Sequence, residues 1–140
     1  MIGNPYQQYR ATAVETASPV QLVTMLYQGV LRFTLRGIQG IEQGNVERAH
    51  EGLTRAQAII IELAAHLDME AGGEIAKNLN ALYLYTHQRL VEANCKKAVE
   101  PAEEVVRLFR ELLPAWQALA EGRRDELAAV GTGAAERLAG

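Results

Sequence analysis

The chain has 140 residues, which is the size of a single domain, and its 14 Lys and Arg against 17 Asp and Glu leave a net charge of -3. This balance argues against a nucleic-acid-binding protein, because such a protein presents a basic face to the phosphates. Ala, Leu, Glu, Arg, Gln and Lys make up more than half of the chain and favour helices, whereas Val, Ile and Thr are too few for a sheet-dominated domain. The composition predicts an all-α protein.

Three features of the sequence bear on the compartment. Cys95 is the single cysteine, which excludes an intrachain disulfide and a cysteine-based metal site. The first ten residues lack the basic start and apolar core of a secretory signal. The longest uncharged run, residues 16–31, is too short and too polar to cross a bilayer, which takes about 20 apolar residues. We expect a cytoplasmic protein with no membrane insertion.

Two helices are predicted in the first half of the chain. Ser18 followed by Pro19 is a strong helix opening, since Ser caps the helix and Pro fits its first position. This helix is expected to run to about residue 43, where Gly44 and Asn45 supply a break and a new N-cap. The second helix then spans residue 46 to about residue 67. Its apolar residues recur in steps of three and four, a heptad seam typical of left-handed bundle packing: Val46, Ala49, Leu53, Ala56, Ile60, Leu63 and Leu67.

Two further helices follow a break at Gly72 and Gly73. The third is predicted from about residue 74 to residues 96–97, and the fourth from residue 100, where Pro101 favours a helix start. Pro114 lies inside the fourth pattern and is expected to kink that helix. The third seam consists of Ile75, Leu79, Leu82, Thr86, Leu90 and Ala93, and the fourth of Val105, Leu108, Leu112, Trp116 and Leu119.

These elements predict one domain built as an antiparallel, up-down four-helix bundle, because short turns join its helices. The bundle is expected to occupy residues 18–120. Residues 1–17 are expected to form a flexible N-terminal arm. Residues 121–140 are rich in Ala and Gly and weakly patterned, so they are expected to form either a short helix or a disordered tail.

Some apolar residues lie beyond the seams. On the first helix they cover an arc of about 200°, twice the width that one core face needs. Ile59 and Ile61 flank the second seam, and Leu84 and Val91 lie nearly opposite the third. Single exposed apolar residues are common in soluble proteins, so this surplus has an ordinary explanation. A contiguous apolar surface would instead indicate a groove for a partner helix or a homodimer interface.

The sequence contains few residues in patterns that indicate catalysis, metal binding or cofactor binding. Glu47 and His50 match the Glu-x-x-His pair of di-iron bundles once, but that site needs a second pair and two further glutamates. The chain has neither a Walker-type phosphate loop nor a dinucleotide-binding glycine pattern. Cys95 has two lysines beside it but no histidine near it in sequence, which does not indicate a catalytic thiol. We predict no enzyme activity, no metal site and no cofactor.

Several motifs resemble those of one protein family. TASP at residues 16–19 and QLVTMLYQG at residues 21–29 resemble the TASPxxLxxMLYDG opening of the flagellin-specific export chaperones, the FliS family. The resemblance continues in AIIIEL at residues 58–63, LDMEAGGE at residues 67–74 and NLNALYLY at residues 78–85, and it ends near Trp116. Gln28 stands where the family usually has an acidic residue, and the stretch after residue 122 matches no family pattern.

The resemblance implies a cytoplasmic export chaperone. Such proteins bind the disordered C-terminal segment of flagellin, prevent its premature polymerisation and help deliver it to the flagellar type III export apparatus. The implied partners are that flagellin segment and the export gate, and the free chaperone is expected to be a monomer. The alternative interpretation is a homodimeric helical bundle that serves as a structural or regulatory subunit.

Ten residues are predicted to contact a partner. In the arm, Tyr6 and Tyr9 lie three apart, so one helical turn would place both rings on one side, where they would cover an apolar groove or contact the export gate. The second and third helices should form a shallow trough between them. The predicted lining of this trough is Ile59, Ile61, Leu84 and Val91. The wide face of the first helix supplies the remaining candidates: Val20, Tyr27, Leu31 and Ile38.

Overall fold

The computed structural model describes residues 18–122, and these residues form four α-helices and no strand. The helices are α1 (Pro19–Glu42), α2 (Val46–Ala65), α3 (Gly73–Lys96) and α4 (Val99–Ala120). The all-α prediction and its four helices are confirmed. Within the described part of the chain, no helix combines the length and apolar character that a membrane span requires. The predicted arm and the predicted tail beyond residue 122 lie outside the described residues.

Each helix packs against two neighbours: α1 contacts α2 and α4, and α3 contacts the same two helices. Side-chain pairs show that neighbouring helices run antiparallel. His50 near the start of α2 hydrogen-bonds to Asn94 near the end of α3, and Arg89 of α3 donates to Glu104 near the start of α4. The predicted up-down bundle is therefore confirmed.

Local capping chemistry explains where α1 and α2 begin. The Ser18 hydroxyl accepts a hydrogen bond from the backbone N–H of Gln21, and the Gln21 side chain accepts one from the backbone N–H of Ser18. This reciprocal pair satisfies N–H groups that a helix start otherwise leaves without partners. At α2, the Asn45 side chain accepts from the N–H of Arg48. The predicted capping roles of Ser18 and Asn45 are confirmed.

The predicted seams supply most of the core, with Leu53 of α2 and Leu82 of α3 among the fully enclosed side chains. The prediction is wrong for the first residue of two seams. Val46 and Ile75 are exposed, because each lies in the first turn of its helix, beyond the packed middle of the bundle. A heptad count has no information about where a neighbouring helix stops.

On α4 the predicted Val105 and Leu112 are fully buried, and the core also includes Phe109, which the predicted seam omits. Phe109 is completely buried, whereas the predicted Leu108 is only half-buried. Because α4 packs against both α1 and α3, its buried face is wider than a single heptad seam. The helix continues through Pro114, which lies on its exposed side, to Ala120.

The wide apolar face of α1 is explained largely by its two neighbours. On one side, glycines allow α2 to approach closely, and a Cβ on Gly40 would lie 2.5 Å from the backbone nitrogen of Ala49. On the other side, the ring centroid of Tyr27 lies 4.8 Å from that of Phe109 in α4. An arc that serves two interfaces needs no external partner to account for its width.

Candidate functional site

A pocket of about 350 Å³ opens at one end of the bundle. This end is formed by the start of α1, the end of α2, the connection at residues 66–72, the start of α3 and the last turns of α4. The apolar and aromatic residues of the lining are Val23, Leu63, Leu67, Ala71, Ile75, Ala76, Leu79, Tyr83 and Trp116, and His66, Asp68 and Gly72 complete it. A concave, mainly apolar lining of this kind suits an apolar side chain of a ligand.

The connection between α2 and α3 shapes the rim of this end pocket. The Asp68 carboxylate accepts hydrogen bonds from two backbone N–H groups of the connection, at 3.2 and 3.0 Å, and so folds it into a tight turn. A Cβ on Gly72 would lie 2.5 Å from the Cβ of Ala76, so the turn packs directly on α3. Ile75, in the first turn of α3, lines the pocket and is itself exposed.

Aromatic rings form the inner wall of the end pocket. Tyr83 and Trp116 line it, and Tyr27 and Phe109 lie behind them. The ring centroid of Tyr27 is 6.3 Å from that of Tyr83 and 6.0 Å from that of Trp116. The hydroxyl groups of Tyr27 and Tyr83 are hydrogen-bonded to each other at 2.7 Å. This bond satisfies two polar groups that are buried in an apolar core.

The environment of the two tyrosines keeps them neutral. Burial raises the pKa of Tyr27 to about 12. Burial also raises the pKa of Tyr83, and the neighbouring Tyr27 phenol raises it further. Desolvation disfavours the phenolate, so neither group is suited to acid–base chemistry near neutral pH. Their arrangement supports the pocket wall and supplies no reactive group.

Two predicted partner residues of α1 are core residues. Tyr27 is 0% exposed and Ile38 is 8% exposed, so the prediction that they offer a surface to a partner is wrong for this structure. The reason is that the flank of α1 on which they lie faces α4. Val20 and Leu31, the other two candidates on α1, are half-buried, and Leu31 packs against the core.

Ile59 lies on a different side of α2 than predicted. Its Cδ1 is 3.0 Å from the position that a Cβ would take on Gly29, so the side chain faces α1 and is half-buried there. A trough between α2 and α3 therefore does not include Ile59. Periodicity placed this residue beside the seam, but it carried no information about which neighbour lies on that side.

Ile61 on α2 and Leu84 and Val91 on α3 point outward, as predicted. They are 56%, 61% and 37% exposed. Their exposure leaves apolar surface available on the outer side of these two helices. Their role in binding stays a prediction. Tyr6 and Tyr9 lie outside the described residues.

His50 has a structural partner. Its Nδ1 lies 3.0 Å from the amide nitrogen of Asn94, which ties α2 to α3. Residues 18–122 contain no group of three or more His, Cys, Asp or Glu side chains that could hold a metal ion.

Sequence reasoning missed the end pocket. Val23, Ile75 and Trp116 line it and come from three different helices, so no local pattern brings them together. One signal in the sequence could have indicated the pocket. Ile75 is an apolar residue in the first turn of α3, at the end of the bundle, where an apolar side chain has few core neighbours.

Comparison with known proteins identifies close relatives. The model of the family described as flagellar protein FliS matches residues 2–123. The flagellar secretion chaperone FliS of Bacillus subtilis is 38% identical over 125 residues, which are 89% of this chain and 92% of the relative. That of Salmonella typhimurium is 42% identical over 107 residues, covering 76% of this chain and 79% of the relative. The flagellar secretion chaperone FliS of Vibrio cholerae is 36% identical over 114 residues, which cover 79% of this chain and 84% of the relative.

Proposed function

The chain belongs to the family of flagellar protein FliS, and on that premise we propose that it is a flagellar secretion chaperone whose client is flagellin. It binds the C-terminal segment of flagellin one-to-one in the cytoplasm and prevents premature polymerisation. It then helps to deliver flagellin to the flagellar type III export apparatus, where the export gate is its second partner.

The end pocket is the observation that supports this proposal most directly. A client segment that folds as it binds loses conformational entropy, so it must bury a large apolar area to bind well. The pocket suits an apolar anchor, and Ile61 on α2 and Leu84 on α3 are further exposed apolar residues on the bundle. Coverage of apolar stripes on flagellin needs shape and apolar area, and it needs no catalytic group.

The N-terminal arm has a proposed role at the same end of the bundle. Residues 1–17 join α1 at Ser18, and Val23, about one turn into α1, lines the end pocket. We propose that the arm covers the apolar client-binding surface in the free protein and moves aside, or contacts the export gate, when flagellin binds. Hydrogen exchange through residues 4–12, which include Tyr6 and Tyr9, should then change when a flagellin peptide is added. Identical exchange in the free and bound protein would remove this role.

Calorimetric titration of the full chain with purified flagellin tests the proposed function. We expect one-to-one binding with a clearly negative heat-capacity change, since apolar burial produces that sign. Flagellin that lacks its C-terminal segment is the matched control and should not bind. Equal binding of the intact and the shortened flagellin would contradict the proposal, as would no binding of either.

The molecular mass of the free protein in solution distinguishes the chaperone proposal from the homodimer interpretation. Light scattering of the free protein at micromolar concentration should give the mass of one chain, because the apolar surface is reserved for a client. A stable dimer that does not dissociate when flagellin is added would favour the structural or regulatory subunit instead.

A further inference from the structure

Three arginines converge on one phenylalanine at the outer side of the α1–α2 interface. The guanidinium carbons of Arg32, Arg36 and Arg55 lie 5.1, 5.3 and 5.4 Å from the centre of the Phe33 ring. Arg32 and Arg36 come from successive turns of α1, and Arg55 comes from α2. We call these three side chains the arginine cluster.

The close approach of the two helices produces this convergence. A Cβ on Gly52 of α2 would lie 2.7 Å from the backbone oxygen of Phe33, so only glycine allows the helices to come this near. The guanidinium groups lie over the Phe33 ring, which is 6% exposed, while Arg32 and Arg55 as whole residues are exposed. Long cationic side chains commonly cover apolar surface in this way and keep their charges in water.

The arginine cluster is short of negative partners. Glu51 lies 3.5 Å from Arg55, with both side chains 57% exposed, and within residues 18–122 no ion pair involves Arg32 or Arg36. An exposed pair of this kind contributes little to stability, so it leaves Arg55 available to another carboxylate.

Three other arginines of the bundle, Arg89, Arg107 and Arg110, have carboxylates in their surroundings. Arg89 is paired with Glu92 and Glu104. Arg107 and Arg110 line a groove between α1 and α4 together with Glu42 and Glu103. The arginine cluster is therefore a local positive patch on a chain whose net charge is -3.

We propose that the arginine cluster is a docking site for an acidic polypeptide segment that carries Asp or Glu side chains about one helical turn apart. Guanidinium groups that stack on an aromatic ring are held in orientation, and their N–H edges can donate in pairs to carboxylates. The size of the patch favours a short acidic peptide over a nucleic acid, because three cations are fewer than the row of phosphate contacts that nucleic-acid-binding proteins make. This site is separate from the end pocket and does not depend on the identity of the client.

Titration of the isotope-labelled full chain with a hexaglutamate peptide tests this proposal by NMR. We expect shifts at the arginine side chains and at neighbouring amides of α1 and α2, with binding that weakens several-fold as salt rises from about 50 to about 300 mM. The double variant Arg32→Gln/Arg36→Gln should raise the dissociation constant by about tenfold. The matched control, Arg107→Gln/Arg110→Gln, removes the same charge and should raise it by less than about twofold.

Several outcomes would overturn the proposal. Equal losses in the two double variants would show that net charge alone attracts the peptide, and no binding by the unaltered chain at millimolar peptide would remove the site. Tighter binding of single-stranded DNA than of hexaglutamate at the same arginines would assign the patch to a nucleic acid. If Arg32→Gln/Arg36→Gln does not fold, Arg32→Lys/Arg36→Lys keeps the charge but loses the paired donors. It should still weaken binding, and unchanged affinity in that variant would contradict the paired-donor geometry.

Discussion

The two helix pairs of the bundle, α1 with α2 and α3 with α4, are joined by different means. Between α1 and α2, small residues allow backbone to meet backbone. A Cβ on Gly52 would lie 2.6 Å from the backbone nitrogen of Gly37, and one on Gly40 would lie 2.5 Å from that of Ala49. An interface packed this tightly has no room for an added side-chain atom, so the helices would have to move apart to accept one.

Between α3 and α4, partly exposed polar side chains bridge the helices beside the core that Tyr83 and Phe109 share. Glu104 accepts hydrogen bonds from the Arg89 guanidinium at 2.7 Å and from the Tyr85 hydroxyl at 2.8 Å. The bond to Glu104 raises the pKa of the Tyr85 phenol, because a nearby carboxylate disfavours the phenolate. Pairs at this level of exposure contribute less than about 1 kcal/mol to stability.

The difference separates a rigid side of the bundle from an adaptable one. Three exposed apolar residues, Ile75, Leu84 and Val91, lie on α3, which is on the weakly joined side. Leu35, Val46 and Ile61 are exposed on the α1–α2 pair. If α3 must adjust to a client segment, polar bridges can break and reform at small cost while the α1–α2 pair stays fixed. The following variants test this contrast.

Gly52→Ala should destabilise the protein strongly. The added Cβ meets the backbone of α1, which cannot move without separating the helices, so we expect a loss of about 3 kcal/mol despite the better helix propensity of Ala. Gly29→Ala is the matched control. Its Cβ would meet only the flexible end of Ile59, at 3.0 Å, and the change should stay within about 1 kcal/mol of zero. Urea denaturation measures both. Equal stability of the two variants would contradict the rigid account of α1 and α2.

Leu84→Glu should separate binding from stability. Leu84 is 61% exposed, so the free energy of unfolding should change by no more than about 0.5 kcal/mol. The affinity for a flagellin C-terminal peptide should fall by about 2 kcal/mol, since a lost apolar anchor commonly costs that much. Calorimetry and thermal melting on the same variant measure the two quantities. A large drop in melting temperature with unchanged affinity would make Leu84 a structural residue.

The buried tyrosine pair should behave as a unit. Tyr27→Phe or Tyr83→Phe alone leaves one buried hydroxyl without its partner and should cost about 1 to 2 kcal/mol. The double variant should be more stable than the sum of the single losses predicts, by about 1 kcal/mol. Additive losses in a denaturation cycle would mean that the bond between the hydroxyl groups contributes nothing.

The same pair predicts a pH dependence in the alkaline range. The folded-state pKa of Tyr27 is about 12, whereas an unfolded tyrosine has a pKa near 10. Between these values the unfolded chain loses a proton that the folded chain keeps, so stability is complete below about pH 10 and falls as the pH rises toward 12. The double variant Tyr27→Phe/Tyr83→Phe should show a shallower fall in denaturation midpoint. An unchanged slope would contradict the assignment.

Glu104→Ala should have the smallest effect of the set. It removes the hydrogen bonds from Arg89 and Tyr85, yet these groups can turn to water, so we expect a loss of about 0.5 kcal/mol. A loss as large as that of Gly52→Ala in the same urea assay would erase the contrast between the two helix pairs.

The helices could be predicted from residues close together in sequence, whereas the candidate site depends on how distant residues pack. Ser18 and Asn45 marked helix starts because a cap depends on residues only three positions away. The positions of Tyr27 and Ile59 could not be predicted, because a wide apolar arc does not reveal which neighbour covers each edge. The end pocket was invisible for the same reason, since Val23 and Trp116 meet only after the bundle has closed.

The central claim is that a flagellin segment anchors in the end pocket, and a pair of exposed residues at opposite ends of the bundle tests it. Ile75 lines the pocket at the start of α3, and Val46 is equally apolar at the start of α2, at the other end. Both positions tolerate a carboxylate, because each lies in the first turn of a helix. Calorimetric titration with flagellin should show that Ile75→Glu weakens binding by about tenfold or more while Val46→Glu leaves it unchanged. Unchanged binding by Ile75→Glu, or a loss confined to Val46→Glu, would contradict the claim.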